Sequence, residues 1–211
     1  MKTLKLPHLI VALTCLVLSS FSETLAAQDG SSKARNLYSA NEIGWTIEIP
    51  ADWERRTEEE ISAVRARGIA AIEQQKNIKL HSVKTSLLYL KYKHGRVGRF
   101  TSDLSPYDLN GYKDYRELQA ERFSVATNIL TSQGANFSAK QGQTTIDGIQ
   151  FQTLELKVMS PKDGSLAMLM KIYDGIVGKQ SLIISYVANP PSISSSIESA
   201  ISTSKFGRPS K

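Results

Sequence analysis

Apolar residues recur along the chain at two different spacings, one typical of strands and one of helices. In the stretch "GWTIEIP", the alternate positions from Trp45 onward are apolar, which predicts a strand with one buried face. Pro50 removes a donor from the strand ladder and is expected to end it. Trp53 is then expected to return to the core, so that Trp45, Pro50 and Trp53 form a structural corner.

Three amphipathic helices are predicted from apolar residues at helical spacing. The first covers 57–76 and begins with a capping box, in which Thr57 caps the helix and Glu60 reaches back. The second covers about 112–133, and the third carries the apolar residues of 193–201.

Strand-like segments fill most of the remaining chain. A strand is predicted at 83–94, a turn at 95–98 and a weaker strand at 99–104. After a turn at 147–148, a meander of about three strands follows, with a hairpin turn at 160–165. Short turns require antiparallel neighbours, so the pattern predicts an α+β fold, an α/β/α sandwich whose mainly antiparallel sheet is covered by three helices.

The first residues have the features of a secretory signal peptide. A basic start is followed by a mostly apolar run at 9–18, which is too short to cross a bilayer, and then by small residues at a cleavage position near Ala26 or Ala27. We therefore expect a periplasmic or secreted protein. An uncleaved amphiphilic anchor is the alternative. The expected organisation is a signal peptide at 1–27, a flexible mature N-terminus at 28–36, a single domain at 37–206 and a tail at 207–211.

The cysteine and charge content narrow the possible functions. Cys15 is the only cysteine, so the mature chain would have no disulfide, thiol nucleophile or thiolate metal site, unless Cys15 is instead the acceptor of a lipid anchor. The formal net charge is +6 and the basic residues are dispersed, which disfavours a nucleic-acid partner. Phosphate-binding, serine-hydrolase and zinc-protease motifs are missing from the sequence, and we expect no cofactor.

Few residues offer catalytic chemistry. His81 and His94 are the only histidines beyond the signal segment, and neither has a carboxylate at a useful local spacing. An envelope hydrolase with a dispersed site that uses His81 or His94 stays an alternative. Asp103, Asp108 and Asp114 could gather near His94 around a metal, although turn and cap roles are more typical of such aspartates.

The stretch "SPYDLNGYKDY" is the best candidate for a recognition surface. It is a loop that places Tyr107 and Tyr112 beside Asp108 and Lys113. Tyrosine suits interfaces because its ring packs while its hydroxyl stays hydrated. Tyr115 belongs to the same stretch but also falls on the apolar side of its helix.

The pattern "GWTIEIPADW", the central helices and antiparallel strands, and the closing helix followed by "SKF" resemble the PsbP-like superfamily. This superfamily also includes the Ran-binding Mog proteins and bacterial envelope proteins such as DcrB and the LpqN-type lipoproteins. The resemblance covers about residues 37–206, and the helix at 57–76 departs from it.

The resemblance implies a non-catalytic accessory or binding protein, which we expect to contact an unknown envelope protein without stable membrane insertion after signal cleavage. It gives no specific ligand, because proteins of one fold serve many functions.

Overall fold

The computed structural model describes residues 36–57, 59–63, 66, 90–92, 97–109, 111–189 and 191–207. Two helices with defined bounds lie within them, α1 (Tyr115–Ser132) and α2 (Ser194–Thr203), together with short 3-10 turns at Asn41–Ile43 and Pro191–Ile193. The strands are β1 (Asn36–Ala40), β2 (Trp45–Ile49), β3 (Trp53–Arg55), β4 (Leu90–Tyr92), β5 (Val97–Pro106), β6 (Phe137–Ile146), β7 (Ile149–Met159), β8 (Leu166–Val177), β9 (Gln180–Asn189) and β10 (Lys205–Phe206).

The strands form two sheets. The larger has seven strands in the order β3-β4-β5-β9-β8-β7-β6, and the smaller has three in the order β1-β2-β10. Every pair of neighbouring strands is antiparallel. For the strands of the closing meander this follows from the short turns that connect them. The predicted α+β fold class, with helices packed on a mainly antiparallel sheet, is confirmed.

Helix α1 covers one face of the large sheet. Its apolar side carries the buried residues that the sequence indicated, among them Phe123, Ala126 and Leu130. They pack on alternate residues of the central strands, and together form a core with Leu154, Leu156, Met170, Ile172, Ile183 and Val187. Gly134 follows the helix at φ +66°, a left-handed conformation that glycine adopts without strain.

The opposite face is shared by α2 and the small sheet. In β2, the side chains of Trp45, Ile47 and Ile49 are buried while Glu48 is exposed, so the predicted alternation is confirmed. The strand does not join the large sheet, however. It pairs with β1 and β10 and lays its apolar face against the larger sheet's core.

The closing meander contains four strands where the sequence predicted about three. The additional strand is β6, which the prediction missed because residues 138–143 are all exposed and show no apolar alternation. The turn at Asp147 and Gly148 is present as predicted. Its φ values of +45° and +82° are those of the two-residue turn that matches strand twist. Strand β5 is longer than the predicted 99–104 and includes Val97, which had been expected in a turn.

The capping box at the first predicted helix is confirmed. The Thr57 amide donates to Glu60 Oε2 (3.1 Å), and the Glu60 amide donates to Thr57 Oγ1 (3.3 Å). Residues 59–63 are helical, and most of the remaining positions of the predicted 57–76 helix lie outside the described residues. Within the described part, no helix is both long and apolar enough to span a bilayer.

Candidate functional site

The tyrosine loop, residues 107–113, connects β5 to α1; position 110 is outside the described residues. The Tyr107 amide donates to the carbonyl of Lys179 (2.9 Å), which attaches the start of the loop to the turn between β8 and β9. The Tyr112 amide donates to the Leu109 carbonyl (2.9 Å). The start of the loop is therefore attached to a neighbouring turn, and its second half is closed by an internal backbone hydrogen bond.

Helix α1 begins directly after the loop because Asp114 caps it. Asp114 Oδ1 accepts a hydrogen bond from the Glu117 amide (3.0 Å), and Glu117 Oε2 accepts one from the Lys113 amide (2.6 Å). The first bond satisfies an amide that the first helical turn leaves without a partner, and the second ties the residue before the cap to the same turn. The loop and the helix start consequently form one hydrogen-bonded unit.

Tyr115 links the loop to the interior. Its ring meets that of Tyr107 edge to face, with centroids 5.7 Å apart and an interplanar angle of 74°. Its hydroxyl donates to Asp174 Oδ1. The guanidinium carbon of Arg122 lies 6.0 Å from the centroid of the same ring. The surface tyrosine thus rests on a second tyrosine that is fixed at its far end.

A buried polar cluster lies behind Tyr115. Asp174 is 0% exposed and Arg122 is 3% exposed. Arg122 Nη1 donates to both carboxylate oxygens of Asp174 (2.9 and 3.0 Å) and to Ser181 Oγ (3.2 Å). Gln119 Nε2 donates to the Asp174 carbonyl (3.1 Å). We refer to Tyr115, Gln119, Arg122, Asp174 and Ser181 as the polar cluster.

Burial dominates the electrostatics of the polar cluster. It raises the pKa of Asp174, and the charge of Arg122 and the Tyr115 hydrogen bond only partly oppose this. Burial, together with the carboxylate of Asp174, also raises the pKa of Tyr115, so this hydroxyl keeps its proton and acts as a donor. The buried Asp174 carboxylate accepts the hydrogen bond of the Tyr115 hydroxyl and so holds the tyrosine ring in place.

The four predicted recognition residues lie together on the tyrosine loop. Asp108 and Lys113 are exposed, and Tyr112 is half-buried. Tyr107 is 37% exposed, one of three large apolar side chains with this much exposure in the described part of the chain. The pKa of Tyr112 is raised, first by burial and then by the nearby carboxylates of Glu121 and Glu117.

The aspartates that could have formed a metal site have different positions in the fold. Asp103 is buried on β5, and Asp114 caps α1. Across the described ranges, no group of three or more histidine, cysteine, aspartate or glutamate side chains is arranged to hold a metal ion. His81, His94 and Cys15 lie outside the described residues, so the two alternatives that rest on them stay predictions.

The predicted corner leads from the small sheet into the large one, since Trp45 lies in β2 and Trp53 in β3. The Trp53 amide donates to the Pro50 carbonyl (3.0 Å), which closes the turn after β2. Trp45 is 0% exposed and Trp53 is 2% exposed. Trp45 packs edge to face on Tyr38 (5.8 Å) and stacks on Phe206 (6.3 Å). The two tryptophans of the corner therefore contribute to the packing of the core.

The polar cluster was not predicted from the sequence, although two signals were present. Arg122 interrupts the apolar side of α1, seven residues after Tyr115, and Asp174 interrupts the alternation of β8. A charge on a buried face usually requires an opposite charge nearby. The two residues are 52 positions apart, so only the folded sheet shows that they are partners.

Comparison with solved structures supports the fold. The cyanobacterial PsbP protein CyanoP from Synechocystis matches 88% of this chain and 100% of its own length, with 11% identity and a TM-score of 0.50. The chain has a PsbP-like fold. At this identity the similarity concerns the fold alone, and the predicted resemblance is confirmed at that level.

Two further structures show weaker similarity. A protein from Bacteroides thetaiotaomicron matches 82% of this chain at 9% identity and a TM-score of 0.47, and the chain spans 49% of that protein's length. A Pseudomonas aeruginosa protein of unknown function matches 83% of this chain and 99% of its own length at 14% identity and a TM-score of 0.42. No protein-family model and no curated protein sequence matches the chain.

Proposed function

We propose that the protein is a non-catalytic accessory protein of the bacterial envelope, secreted or periplasmic, that binds an envelope protein through its tyrosine loop. The PsbP-like fold supports an accessory role in a general sense, since the resemblance implies binding proteins more often than enzymes. The residues expected to make contact are Tyr107, Asp108, Tyr112 and Lys113.

The observation that carries this proposal is the support beneath Tyr107. Its ring is exposed at the surface and packs on Tyr115, which the buried Arg122–Asp174 pair holds in place. An aromatic side chain that is already fixed loses little conformational entropy when a partner covers it. Asp108 and Lys113 on the same loop contribute one negative and one positive charge to this surface. Polar groups around an aromatic anchor are typical of protein interfaces.

Site-specific photo-crosslinking tests the proposal in envelope preparations from cells that express the protein. A photoreactive residue in place of Tyr107 should give a discrete cross-linked product with an envelope protein. The matched control is Leu166, which is equally exposed at 37% but lies at the start of β8. Products of equal yield from both positions, or none from position 107, would contradict a role for the tyrosine loop.

The enzymatic alternative has its own test. In an assay of the protein's cellular phenotype, Tyr107→Ala should reproduce the loss of the protein, whereas His81→Ala and His94→Ala should not. The opposite result would favour a dispersed site that uses these histidines.

The proposed location depends on signal cleavage. Mass measurement of the mature N-terminus should find a chain that starts after Ala26 or Ala27 and carries no lipid. An acylated chain beginning at Cys15 would instead establish the membrane-anchored alternative.

A further inference from the structure

In the part of the chain that the structure describes, the large sheet ends in a long strand with no neighbour on its outer side. Among the described strands, β6 is the last in the order and pairs with β7 alone, through ten consecutive residue pairs without a register shift. The strand at the other end, β3, has only three residues. An outermost strand presents a row of amides and carbonyls to which another strand can bind.

The turn between β6 and β7 determines which backbone groups face outward. In a two-residue hairpin, the flanking residues Ile146 and Ile149 form a hydrogen-bonded pair. Hydrogen-bonded pairs then recur at even-numbered residues of β6, in agreement with the bond from the Met159 amide to the Asn136 carbonyl (2.8 Å). The outward amides and carbonyls therefore belong to the odd-numbered residues, which are Phe137, Ala139, Gln141, Gln143 and Thr145.

Within the described structure, the middle of this edge strand is exposed on both faces of the sheet. The six residues from 138 to 143 are all exposed, so neither α1 on one face nor α2 and the small sheet on the other covers the strand here. Proline, bulges and several charges commonly protect an edge strand. Strand β6 has neither proline nor bulge, and its only charged residue is Lys140.

Charge alternates across the sheet up to this edge. Lys140 lies opposite Glu155, and Glu155 lies opposite Lys171 on the next strand. Glu155 forms an ion pair with Lys157 (3.3 Å), and Lys171 forms one with Glu198 (3.6 Å). Among the residues that the structure describes, this leaves Lys140 without an ion-pair partner at the end of the row. The next strand would continue the alternation with an acidic residue.

We propose that the outer edge of β6 binds an extended segment of a partner protein, antiparallel to β6, with an acidic residue opposite Lys140. The backbone bonds at the odd-numbered residues supply the attachment, and the cross-strand pair with Lys140 supplies register. This surface is separate from the tyrosine loop and does not depend on it.

A second copy of the chain fits this edge less well. If two β6 strands paired antiparallel, odd residues would face odd residues, and Lys140 would lie opposite an even-numbered residue of the other copy. Those residues are Ser138, Lys140, Gly142, Thr144 and Ile146, none of which is acidic. An exposed lysine on an edge strand also opposes self-association.

Peptide titration followed by amide NMR tests the proposal. The probe is a short synthetic peptide of alternating threonine and valine with a central glutamate, added to the full chain at up to about 1 mM. We expect the amides of Ala139, Gln141 and Gln143 to move to the shifts of hydrogen-bonded groups, with the even-numbered amides little changed. A peptide with lysine at the centre should bind about two- to fivefold more weakly, and Lys140→Glu should reverse this preference.

Two variants at one position separate backbone pairing from side-chain contact. Gln141→Pro removes an outward donor that the fold does not use, so it should abolish peptide binding while the circular dichroism spectrum is unchanged. Gln141→Thr keeps the amide and should bind as the wild type does. If Gln141→Pro does not fold, a peptide N-methylated at its edge-facing amides provides the same test and should fail to bind.

Three outcomes would overturn the proposal. One is the absence of peptide-induced shifts at the odd-numbered amides. Another is equal binding of the glutamate and lysine peptides. The third is sedimentation of the free chain as a dimer whose odd-numbered β6 amides are already hydrogen-bonded, which would make a second copy the occupant of the edge.

Discussion

At the scale of single residues, Asp174 has the most demanding environment in the described chain. A carboxylate without exposed surface is costly unless it is paired and hydrogen-bonded, and Arg122 and Tyr115 meet that requirement. The buried carboxylate thereby fixes the hydroxyl of Tyr115, and the ring of Tyr115 supports Tyr107 at the surface.

Breaking this pair should destabilise the protein strongly. We expect Asp174→Asn to lower the free energy of unfolding by about 3–5 kcal/mol, because Arg122 would remain buried without its counter-charge. Urea denaturation measures this change. The double variant Asp174→Asn with Arg122→Met should be more stable than the single variant, since it removes the stranded charge.

An exposed ion pair provides the comparison. Lys157→Ala removes the bond to Glu155, and its side chain is 46% exposed. This substitution should change the free energy of unfolding by less than about 1 kcal/mol. If Asp174→Asn were as mild as Lys157→Ala, the polar cluster would not hold Tyr115 in the way described.

Gly175 is required for packing near the end of β8. A Cβ at this position would lie 2.7 Å from Phe151 Cδ1 and 3.1 Å from the Gln150 carbonyl oxygen, and Phe151 is fully buried. Gly175→Ala should therefore cost about 1–3 kcal/mol of unfolding free energy, seen as a lower urea midpoint with an unchanged slope.

Gly142 is the matched control for Gly175. A Cβ there would meet only Thr153 Oγ1, at 3.2 Å, on an exposed strand. Gly142→Ala should shift stability by no more than about 0.5 kcal/mol. Equal losses for the two variants would show that the environment of Phe151 is looser than its burial indicates.

At the scale of elements, the strands and helices that could be predicted from the sequence are those with one buried face. Strand β2 was predicted because its buried side chains alternate with polar ones, and α1 because its apolar residues recur at helical spacing. Strand β6 was missed because its residues 138–143 are exposed on both faces and therefore show no apolar alternation. The tyrosine loop was predicted from its local chemistry, whereas the polar cluster that supports it joins distant elements.

The start of α1 offers a prediction at this scale. Asp114→Ala removes the acceptor for the Glu117 amide and should lower the free energy of unfolding by about 0.5–2 kcal/mol, measured by thermal or urea denaturation. Asp114→Asn preserves a capping oxygen and should retain most of the stability. A loss as large for Asn as for Ala would mean that charge, and not the cap hydrogen bond, matters at this position.

At the scale of the whole molecule, the side chain of Asp147 links the two sheets. Asp147, in the turn between β6 and β7, accepts hydrogen bonds from the Phe206 amide (2.7 Å) and from Lys205 Nζ (3.1 Å) of β10. These bonds, the Phe206 amide first, lower the pKa of Asp147. A hairpin of the large sheet thereby holds the last strand of the small one.

This contact should depend on pH. Because the pKa of Asp147 is lower in the folded protein than in the unfolded chain, the contact stabilises the fold above the ordinary aspartate pKa and is lost as pH falls through the lowered value. The Phe206 amide proton shift should therefore titrate with a midpoint below about 3.9. Asp147→Asn, which tolerates the same turn conformation, should remove this titration. A midpoint above the ordinary value would contradict the assignment.

The pairing of β10 with β2 has a consequence for how the chain acquires its structure. Short turns connect the four strands β6 to β9. Phe206 and Trp45, in contrast, lie near opposite ends of the described chain, so their contact closes a very long connection. Closing a connection of that length costs more entropy than closing a hairpin, and contacts between distant positions slow folding. The meander should therefore organise first, and the indole of Trp45 should gain its stacking partner last, so its fluorescence would report the final step of folding.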